Sequence, residues 1–218
     1  MNLEKTADGS YTLYVPELDE HYHSTKGALT EAQHIFIEMG LNHSTVACPH
    51  ILEIGLGTGL NCFLTLLEAA KTQRPVHYSS IERYPLPMDV IRQMDYPQLI
   101  QKEKEAAYLS IHEAAWDEDV KLNDTFTLHK IEGDFTQYPF PKGYDVIYFD
   151  AFAPEKQPEM WSQSLFDELY KVLNDRGILT TYCAKGVVRR MLQAAGFTVE
   201  RLPGPPGGKR EILRATKL

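Results

Sequence analysis

A glycine-rich loop between a strand-like segment and a helical one constrains the fold of this chain more than any other feature. Residues 49–55 predict a short buried strand and residues 60–72 a helix, and the loop carries Gly55, Gly57 and Gly59. Glycine lets the backbone turn sharply and approach a ligand, and the following helix presents free amide groups at its N-terminus. This order predicts a Rossmann-like α/β fold.

The spacing of the glycines and the acid before them indicate which cofactor the loop binds. Dinucleotide-binding loops have the pattern GxGxxG, so that a pyrophosphate can rest on the helix end, whereas this loop is GxGxG preceded by Glu53. S-adenosylmethionine has no phosphate, and its ammonium group favours a carboxylate nearby. The loop therefore indicates S-adenosylmethionine. The residues expected to contact it here are Glu53, Gly55, Leu56, Gly57, Thr58, Gly59 and Asn61.

The ends of the next two predicted strands supply further candidate cofactor contacts. Glu82 ends the second strand, where a carboxylate can accept hydrogen bonds from both ribose hydroxyls of an adenosine. NAD enzymes place an acid at the same point, so Glu82 alone does not choose the cofactor. Gly133, Asp134 and Phe135 follow the third strand, where Asp134 could accept from the adenine amino group and Phe135 could lie against the ring. A Gly-Asp pair is also a common turn.

Strands and helices alternate from residue 49 onward, which predicts a mostly parallel sheet covered on both faces. Residues 76–82 and 178–184 are expected to be strands, and residues 86 to about 120 to be mostly helical. The turn at residues 203–209 is rich in proline and glycine, and residues 210–215 are expected to return antiparallel to residues 197–202. A parallel alternation closed by such a hairpin is the plan of the class I methyltransferase sheet, which has seven strands with the last one antiparallel. Residues 47–218 are predicted to form this core.

The remaining organisation follows from the N-terminal segment and the composition. Residues 1–46 have the pattern of a strand or hairpin followed by a helix from about Thr30, and are predicted to form a flap over the cofactor site within a single domain of residues 1–218. With 43% apolar residues, the chain can bury one compact core. No apolar run is long enough to span a membrane and no secretion signal is present, so a cytoplasmic location is expected.

Cysteine, histidine and charge patterns limit the possible ligands. The three cysteines form no CxxC pair, and His21 and His23 have no further ligand cluster, so no metal is expected. The net charge of −8 argues against bulk electrostatic binding of nucleic acid. Residues 185–218 nevertheless hold eight basic and two acidic side chains. This segment is either a polyanion-binding face or a set of solvated helix and strand ends.

The loop after the predicted strand at residues 144–149 carries the candidate catalytic residue. In open α/β sheets ligands bind at the carboxyl ends of the strands, so Asp150 is expected beside the cofactor and the transferred methyl group. Displacement at a sulfonium carbon needs a neutral nucleophile held in line. An amine arrives as an ammonium ion, and a carboxylate can hold that cation and accept its proton. The alternative is that Asp150 only caps the loop.

Several segments resemble the MnmC-type methyltransferase family, whose stand-alone members are called MnmD. The likeness runs from Gly27 to Ala215 and rests on the segments FDAFAPEKQPEMW, LEIGLGTGLN, TKGALTEAQHIFIE and GGKREILRA. The resemblance implies N-methylation of 5-aminomethyl(-2-thio)uridine at the wobble position of tRNA, with Asp150 as the catalytic residue. An FAD-dependent domain, found in the bifunctional members, is not expected in this chain.

The resemblance also implies roles for residues outside the glycine loop. Gly27 and Glu31 match the N-terminal helix of the family and are expected to help close the site over the cofactor. Trp161 is expected either to stack on the base or to pack under its loop. The expected contacts to the substrate, an anticodon stem-loop, are Tyr22, Phe152, Lys156, Trp161, Arg189, Arg190 and Lys209.

Two other functions fit the same residues. One is a methyltransferase or aminopropyltransferase-like enzyme acting on a small amine, which an acidic chain would suit. Its rate should barely respond to salt, whereas tRNA binding should weaken steeply as ions compete for phosphate contacts. The other is a non-catalytic domain that only binds the cofactor, which would have no activity to lose on replacement of Asp150.

Overall fold

The computed structural model describes all 218 residues, as eleven strands and seven helices. The strands are β1 Asn2–Lys5, β2 Tyr11–Val15, β3 Glu20–His21, β4 His50–Ile54, β5 Val76–Glu82, β6 Asp119–Asn123, β7 Phe126–Glu132, β8 Tyr144–Phe149, β9 Leu173–Thr181, β10 Thr198–Pro203 and β11 Glu211–Thr216. The helices are α1 Ala28–Ala32, continued by a π-helical segment over Gln33–Glu38, α2 Leu60–Thr72, α3 Met88–Ile91, α4 Tyr96–Ile100, α5 Glu105–Glu113, α6 Gln163–Val172 and α7 Gly186–Ala195. Single 3-10 turns cover Leu41–His43, Lys102–Lys104 and Pro158–Met160.

The central sheet has eight strands in the order β10-β11-β9-β8-β4-β5-β7-β6. β4 pairs in parallel with both β5 and β8, and the parallel pairing continues to β7 on one side and β9 on the other. β11 lies antiparallel between β9 and β10. The predicted α/β sheet, mostly parallel with an antiparallel last strand, is therefore confirmed.

Two details of the sheet differ from the prediction. β6 is an eighth strand, antiparallel to β7 at the edge of the sheet, in a region predicted to be mostly helical. Its residues are all partly or fully exposed, so the sequence carries no buried-strand pattern there. β9 begins at Leu173 instead of Ile178, because Leu173 already pairs with Tyr144 before a register shift brings Ile178 opposite Val146.

Both faces of the central strands are buried, which is why most residues of β4 and β8 are apolar or aromatic. Ile51, Leu52 and Ile54 of β4 are 0% exposed. One face packs against α1, α2 and α5, and the other against α6 and α7. The strand ends are thereby fixed, and so are the loops that leave the carboxyl edge of the sheet. None of the helices has the length and apolar content that a membrane crossing requires.

The N-terminal segment lies over the carboxyl edge of the central sheet. β1, β2 and β3 form a small antiparallel sheet, and Leu13 of β2 packs into the same apolar core as α1 and α2. Asp8 fixes the start of α1, since its carboxylate accepts hydrogen bonds from the backbone amide and hydroxyl of Thr30, both at 2.9 Å. The turn after β3 then brings Tyr22 and His23 onto the glycine loop.

Candidate active site

A cavity of about 480 Å³ opens at the carboxyl edge of β4, β5, β7 and β8. The glycine loop contributes Gly55, Leu56, Gly57 and Asn61 to its wall. The ends of the neighbouring strands contribute Glu82, Gly133, Asp134, Phe135 and Asp150. Tyr22 from the N-terminal segment and Phe152 from the loop after β8 complete the set of sequence-predicted residues that meet here. Segments from four strand ends and the N-terminus thus converge on one site.

The backbone of the glycine loop takes conformations that favour glycine. Gly55, Gly57 and Gly59 have φ values of +90°, +50° and +74°. A Cβ atom at Gly57 would lie 3.0 Å from the ring of Tyr22, and one at Gly59 would lie 2.5 Å from His112 Nε2. The loop is therefore a close-fitting turn whose glycines let a ligand approach the backbone from the cavity.

Glu82 is held in a fixed orientation at the end of β5. Its Oε2 accepts the backbone N–H of Gly57 at 3.0 Å, and its Oε1 accepts that of Tyr84 at 2.8 Å. A carboxylate has about four acceptor sites, so lone pairs remain for two hydroxyl groups in the cavity. These free acceptor sites fit the two hydroxyl groups of a ribose, and the hydrogen bond from Gly57 N–H joins Glu82 to the glycine loop.

Replacing Glu82 with glutamine should raise the Kd for S-adenosylmethionine by about 10- to 100-fold, since a hydrogen bond to a charged group contributes about 1.5–3 kcal/mol. The amide cannot accept with both of its ends, so at least one anchoring bond is lost. Isothermal titration with S-adenosylmethionine measures the change. The matched control is Glu132→Gln, because Glu132 stands opposite Glu82 in register but is exposed on β7. Equal weakening in both variants would contradict the ribose role.

Asp134 and Phe135 form the wall of the cavity after β7. Asp134 Oδ1 accepts the backbone N–H and the hydroxyl of Thr136 at 2.9 and 2.7 Å, and Oδ2 pairs with the Arg83 guanidinium at 2.8 Å. The hydrogen bond from the Thr136 hydroxyl is the main cause that lowers the pKa of Asp134. Phe135 packs edge-on against Phe149, with ring centroids 5.8 Å apart. The carboxylate stays ionised and anchored beside an apolar wall.

Asp150 follows β8 and faces the cavity next to the glycine loop. Its Oδ2 accepts a hydrogen bond from Asn61 Nδ2 at 2.8 Å. The pKa of Asp150 is raised to about 7, chiefly by burial and also by the charge of Glu31, while the hydrogen bond from Asn61 and the charge of Lys209 act against the shift. A carboxyl group poised near neutral pH can both accept and release a proton at the strand end where the chemistry was expected.

Three residues predicted to contact the cofactor lie beneath the loop instead. Glu53 is 0% exposed and accepts a hydrogen bond from the Ser80 hydroxyl at 2.7 Å. Burial is the main cause that raises its pKa to about 8, so Glu53 is largely a neutral acid at pH 7 and does not offer the expected charge. Thr58 and Gly59 are buried as well. The tight turn directs the side chains of Glu53 and Thr58, and the position that a Cβ atom would take at Gly59, away from the cavity and toward the core.

Of the two roles expected for Trp161, the structure shows packing under the loop and not stacking at the cavity surface. Its side chain is 5% exposed and its Nε1–H donates to the backbone carbonyl of Phe152 at 2.8 Å. The indole also packs against Phe149, with ring centroids 4.8 Å apart. Trp161 therefore supports the loop after β8 from below, while Phe152 remains on the cavity wall and contacts Tyr22 edge-on at 5.1 Å.

Two of the four basic residues expected to meet tRNA are already ion-paired. Lys156 pairs with Asp19 at 3.1 Å, and Lys209 pairs with Glu31 at 3.1 Å. The other ion pairs of residues 185–218 are Lys185 with Glu155, Arg201 with Glu211, Arg214 with Glu200 and Lys217 with Asp175. Glu31, expected at the cofactor, is likewise absent from the cavity wall. Of the predicted phosphate contacts, Arg189 and Arg190 have no ion-pair partner.

His23 and Tyr182 are neighbours of the site whose positions the sequence did not indicate. His23 Nε2 lies 2.8 Å from the Thr58 hydroxyl, and burial lowers the pKa of the imidazole to about 4. His21, by contrast, bonds Glu4 outside the cavity at 2.9 Å. The hydroxyl of Tyr182 donates to the carbonyl of Ala151 at 2.8 Å. Only contacts between residues far apart in the chain reveal either position.

Sequence comparisons agree with this geometry. A profile of the S-adenosyl-L-methionine-dependent methyltransferase family matches residues 91–218. The tRNA 5-methylaminomethyl-2-thiouridine biosynthesis bifunctional protein MnmC of Cupriavidus metallidurans is 32% identical over 94% of this chain and 32% of its own length. MnmC of Pseudomonas fluorescens is 36% identical over 90% of the chain and 32% of its own length. The chain spans about one third of the curated relatives it matches.

Solved structures share the fold. The crystal structure of MnmC2 from Aquifex aeolicus superposes with a TM-score of 0.74 at 24% identity, over 98% of this chain and 69% of that one. Spermidine synthase from Thermotoga maritima superposes with a TM-score of 0.59 at 15% identity, over 100% of this chain and 72% of that one. At these identities the two likenesses concern the fold only.

Proposed function

Because this chain belongs to the S-adenosyl-L-methionine-dependent methyltransferase family, we propose that it N-methylates the primary amine of 5-aminomethyl(-2-thio)uridine at the wobble position of tRNA. The observation that carries the proposal is the position of Asp150, whose carboxyl lines the cavity beside Asn61 and has its pKa raised to about 7. The relatives named MnmC, which match over at least 90% of the chain, support the choice of substrate.

The residues of the cavity fit S-adenosylmethionine. Gly55 and Gly57 expose backbone to the ligand, Glu82 has acceptor sites free for ribose hydroxyls, and Phe135 offers an apolar wall for adenine. When bound, this cofactor supplies an electrophilic methyl group on sulfur, so that an N–C bond forms as the S–C bond breaks and its electron pair stays on sulfur.

Asp150 binds the incoming ammonium ion and removes its proton. A primary amine is mostly an ammonium ion at neutral pH, and its nitrogen has a lone pair only after a proton leaves. The Asp150 carboxylate holds the cation, accepts that proton and releases it to solvent. Asn61 fixes the carboxyl by donating to its Oδ2 at 2.8 Å, which leaves Oδ1 for the amine. The product is a secondary amine at the same nitrogen.

Substrate recognition combines aromatic and basic contacts around the cavity. Tyr22 and Phe152 stand on its wall, edge to face, and suit an unstacked base of an anticodon loop. Arg190, which is exposed, and Arg189, which is partly buried, lie in the first half of α7 without a carboxylate partner and would meet phosphates. Such a substrate implies that the protein acts in the cytoplasm.

Incubation with labelled S-adenosylmethionine and tRNA from cells that lack this gene tests the proposal. Nucleoside mass analysis should find the label in 5-methylaminomethyl(-2-thio)uridine at the wobble position. Activity on tRNA should fall steeply between about 50 and 200 mM salt, because each phosphate contact releases counterions.

The same assay includes a free polyamine and a short primary amine as alternative acceptors. Label in these amines with little salt dependence, and none in the wobble uridine, would replace the proposal with small-amine transfer. Cofactor binding without transfer to any acceptor would favour a binding module. tRNA that already carries the methylamino group serves as the control and should accept no label at that nitrogen.

A further inference from the structure

An ion pair between Glu31 and Lys209 joins the N-terminal and C-terminal parts of the chain. Glu31 lies on α1 and Lys209 in the turn between β10 and β11, and the ammonium group donates to both carboxylate oxygens at 3.1 and 3.2 Å. The Glu31 side chain is 12% exposed and that of Lys209 is 37% exposed. An ion pair with one partner this sheltered is screened less by solvent than a surface pair.

The pair is held against the loop that carries Asp150. Lys209 Nζ lies 4.2 Å from the centroid of the Tyr182 ring, a cation–π contact. The Tyr182 hydroxyl donates to the carbonyl of Ala151, the residue after Asp150. On the other side, α1 is anchored by the bonds from Thr30 to Asp8. Both charges therefore have fixed positions relative to Asp150.

The two charges act on the Asp150 carboxyl in opposite directions. Glu31 raises the pKa of Asp150 and Lys209 lowers it. Of the other groups near Asp150, His23 is neutral because burial lowers its pKa to about 4, and burial likewise raises the pKa of Tyr182 out of the neutral range. Asn61 donates a hydrogen bond, and Glu53, which lies behind it, has its pKa raised to about 8 and is largely uncharged. Glu82 also lines the cavity.

We propose that Glu31 and Lys209 are a positioning pair that sets the protonation of Asp150, so that its carboxyl can take a proton from the substrate amine and return it to solvent. Neither residue lines the cavity, so they act through Asp150 instead of touching the amine. The inference rests on the proposed function only for the identity of the amine. The proposal also assigns a role to the long Pro-Gly turn before Lys209, which places the ammonium group of Lys209 near the site.

The test measures the ionisation of Asp150 directly, by carbon-13 NMR titration of the aspartate carboxyl groups, with Asp150→Asn to assign the signal. Lys209→Met leaves Glu31 unbalanced and should raise the pKa of Asp150 by about one unit, whereas Glu31→Gln leaves Lys209 and should lower it by a similar amount. The double variant Glu31→Gln/Lys209→Met should return close to the wild-type value. Because the double variant leaves neither charge unpaired, it can also be measured if either single variant fails to fold.

Glu200→Gln is the matched control, because it opens an ion pair of the same kind with Arg214 on the outer strands and should leave the signal of Asp150 in place. Shifts of the two single variants in the same direction, or no shift, would overturn the proposal and leave the pair a structural clamp. The titration needs no substrate, so it remains decisive if tRNA is the wrong acceptor. With an active substrate, the acidic limb of the pH–rate profile should move in the same directions.

Discussion

Asp150→Asn is expected to lower kcat by about 10²- to 10⁴-fold, the range that a positioned acid–base group contributes. Asparagine keeps the size of the side chain and can still accept the hydrogen bond from Asn61 Nδ2. It cannot take a proton from an ammonium ion, so the fraction of reactive amine in the site falls. Single-turnover methylation of tRNA measures the effect, with the Kd for S-adenosylmethionine expected to change little.

The same substitution should stabilise the protein at high pH. Burial is the main cause that raises the pKa of Asp150 to about 7 from its ordinary value of 3.8, so the folded protein binds more protons than the unfolded chain between these values and the stability falls as pH rises through them. Above pH 7 this carboxylate disfavours folding by at most about 4 kcal/mol, at 1.36 kcal/mol per unit. Asparagine removes this unfavourable contribution to the free energy of folding.

Thermal unfolding at two pH values checks this prediction. The Tm of Asp150→Asn should exceed the wild-type Tm by several degrees at pH 8 and by less at pH 5, where the wild-type carboxyl is largely protonated when folded. Asp145→Asn is a suitable control, because Asp145 lies on β8, the strand that precedes Asp150, but accepts hydrogen bonds from His50 N and Asn174 Nδ2 outside the cavity. A loss of activity together with a lower Tm at both pH values would point to disrupted packing instead of lost proton transfer.

Trp161→Ala should lower the free energy of unfolding by about 3–5 kcal/mol, as expected for an aromatic side chain removed from a packed core. The indole fills the space between Phe149 and Tyr182, and its Nε1–H satisfies the carbonyl of Phe152. The loop after β8 should lose its support, so activity falls with stability. Urea unfolding measures the change.

Trp161→Phe separates packing from base stacking. It keeps an aromatic ring but loses the hydrogen bond to Phe152, and should cost about 1–3 kcal/mol for the buried carbonyl left without a donor. Its KM for tRNA should stay near the wild-type value. If Trp161→Ala keeps the wild-type free energy of unfolding but has a much higher KM for tRNA, the indole contacts the substrate. Its conformation in the complex with tRNA then differs from the buried one.

The elements around the site could be predicted well because they depend on local patterns. α2 covers Leu60–Thr72 and β5 covers Val76–Glu82 as expected, since apolar periodicity and glycine positions act over a few residues. β6 could not be predicted in this way. Its residues Asp119–Asn123 do alternate between polar and apolar, but only Val120 and Leu122 are apolar, and both stay partly exposed at the edge of the sheet, so the alternation is short and weak.

The candidate site was only partly predictable. Glu82, Asp134 and Asp150 follow directly from the rule that the carboxyl ends of parallel strands meet at one edge of the sheet. Whether a loop residue faces the cavity or the core depends on the turn itself, which is why Glu53 lies under the loop while Asn61 reaches Asp150. The pattern of residue types is the same in either case.

By itself the sequence determined the α/β sheet, the glycine loop, the acids at the strand ends and the family, because these reside in short segments whose spacing fixes their local structure. Only the tertiary structure decided which charges remain free. Lys209 forms an ion pair with Glu31, 178 positions away in the chain, and Trp161 packs into the core beneath Phe152. Such contacts depend on where the whole chain brings distant residues in space, and the energy of a charge depends on that neighbourhood more than on its place in the sequence.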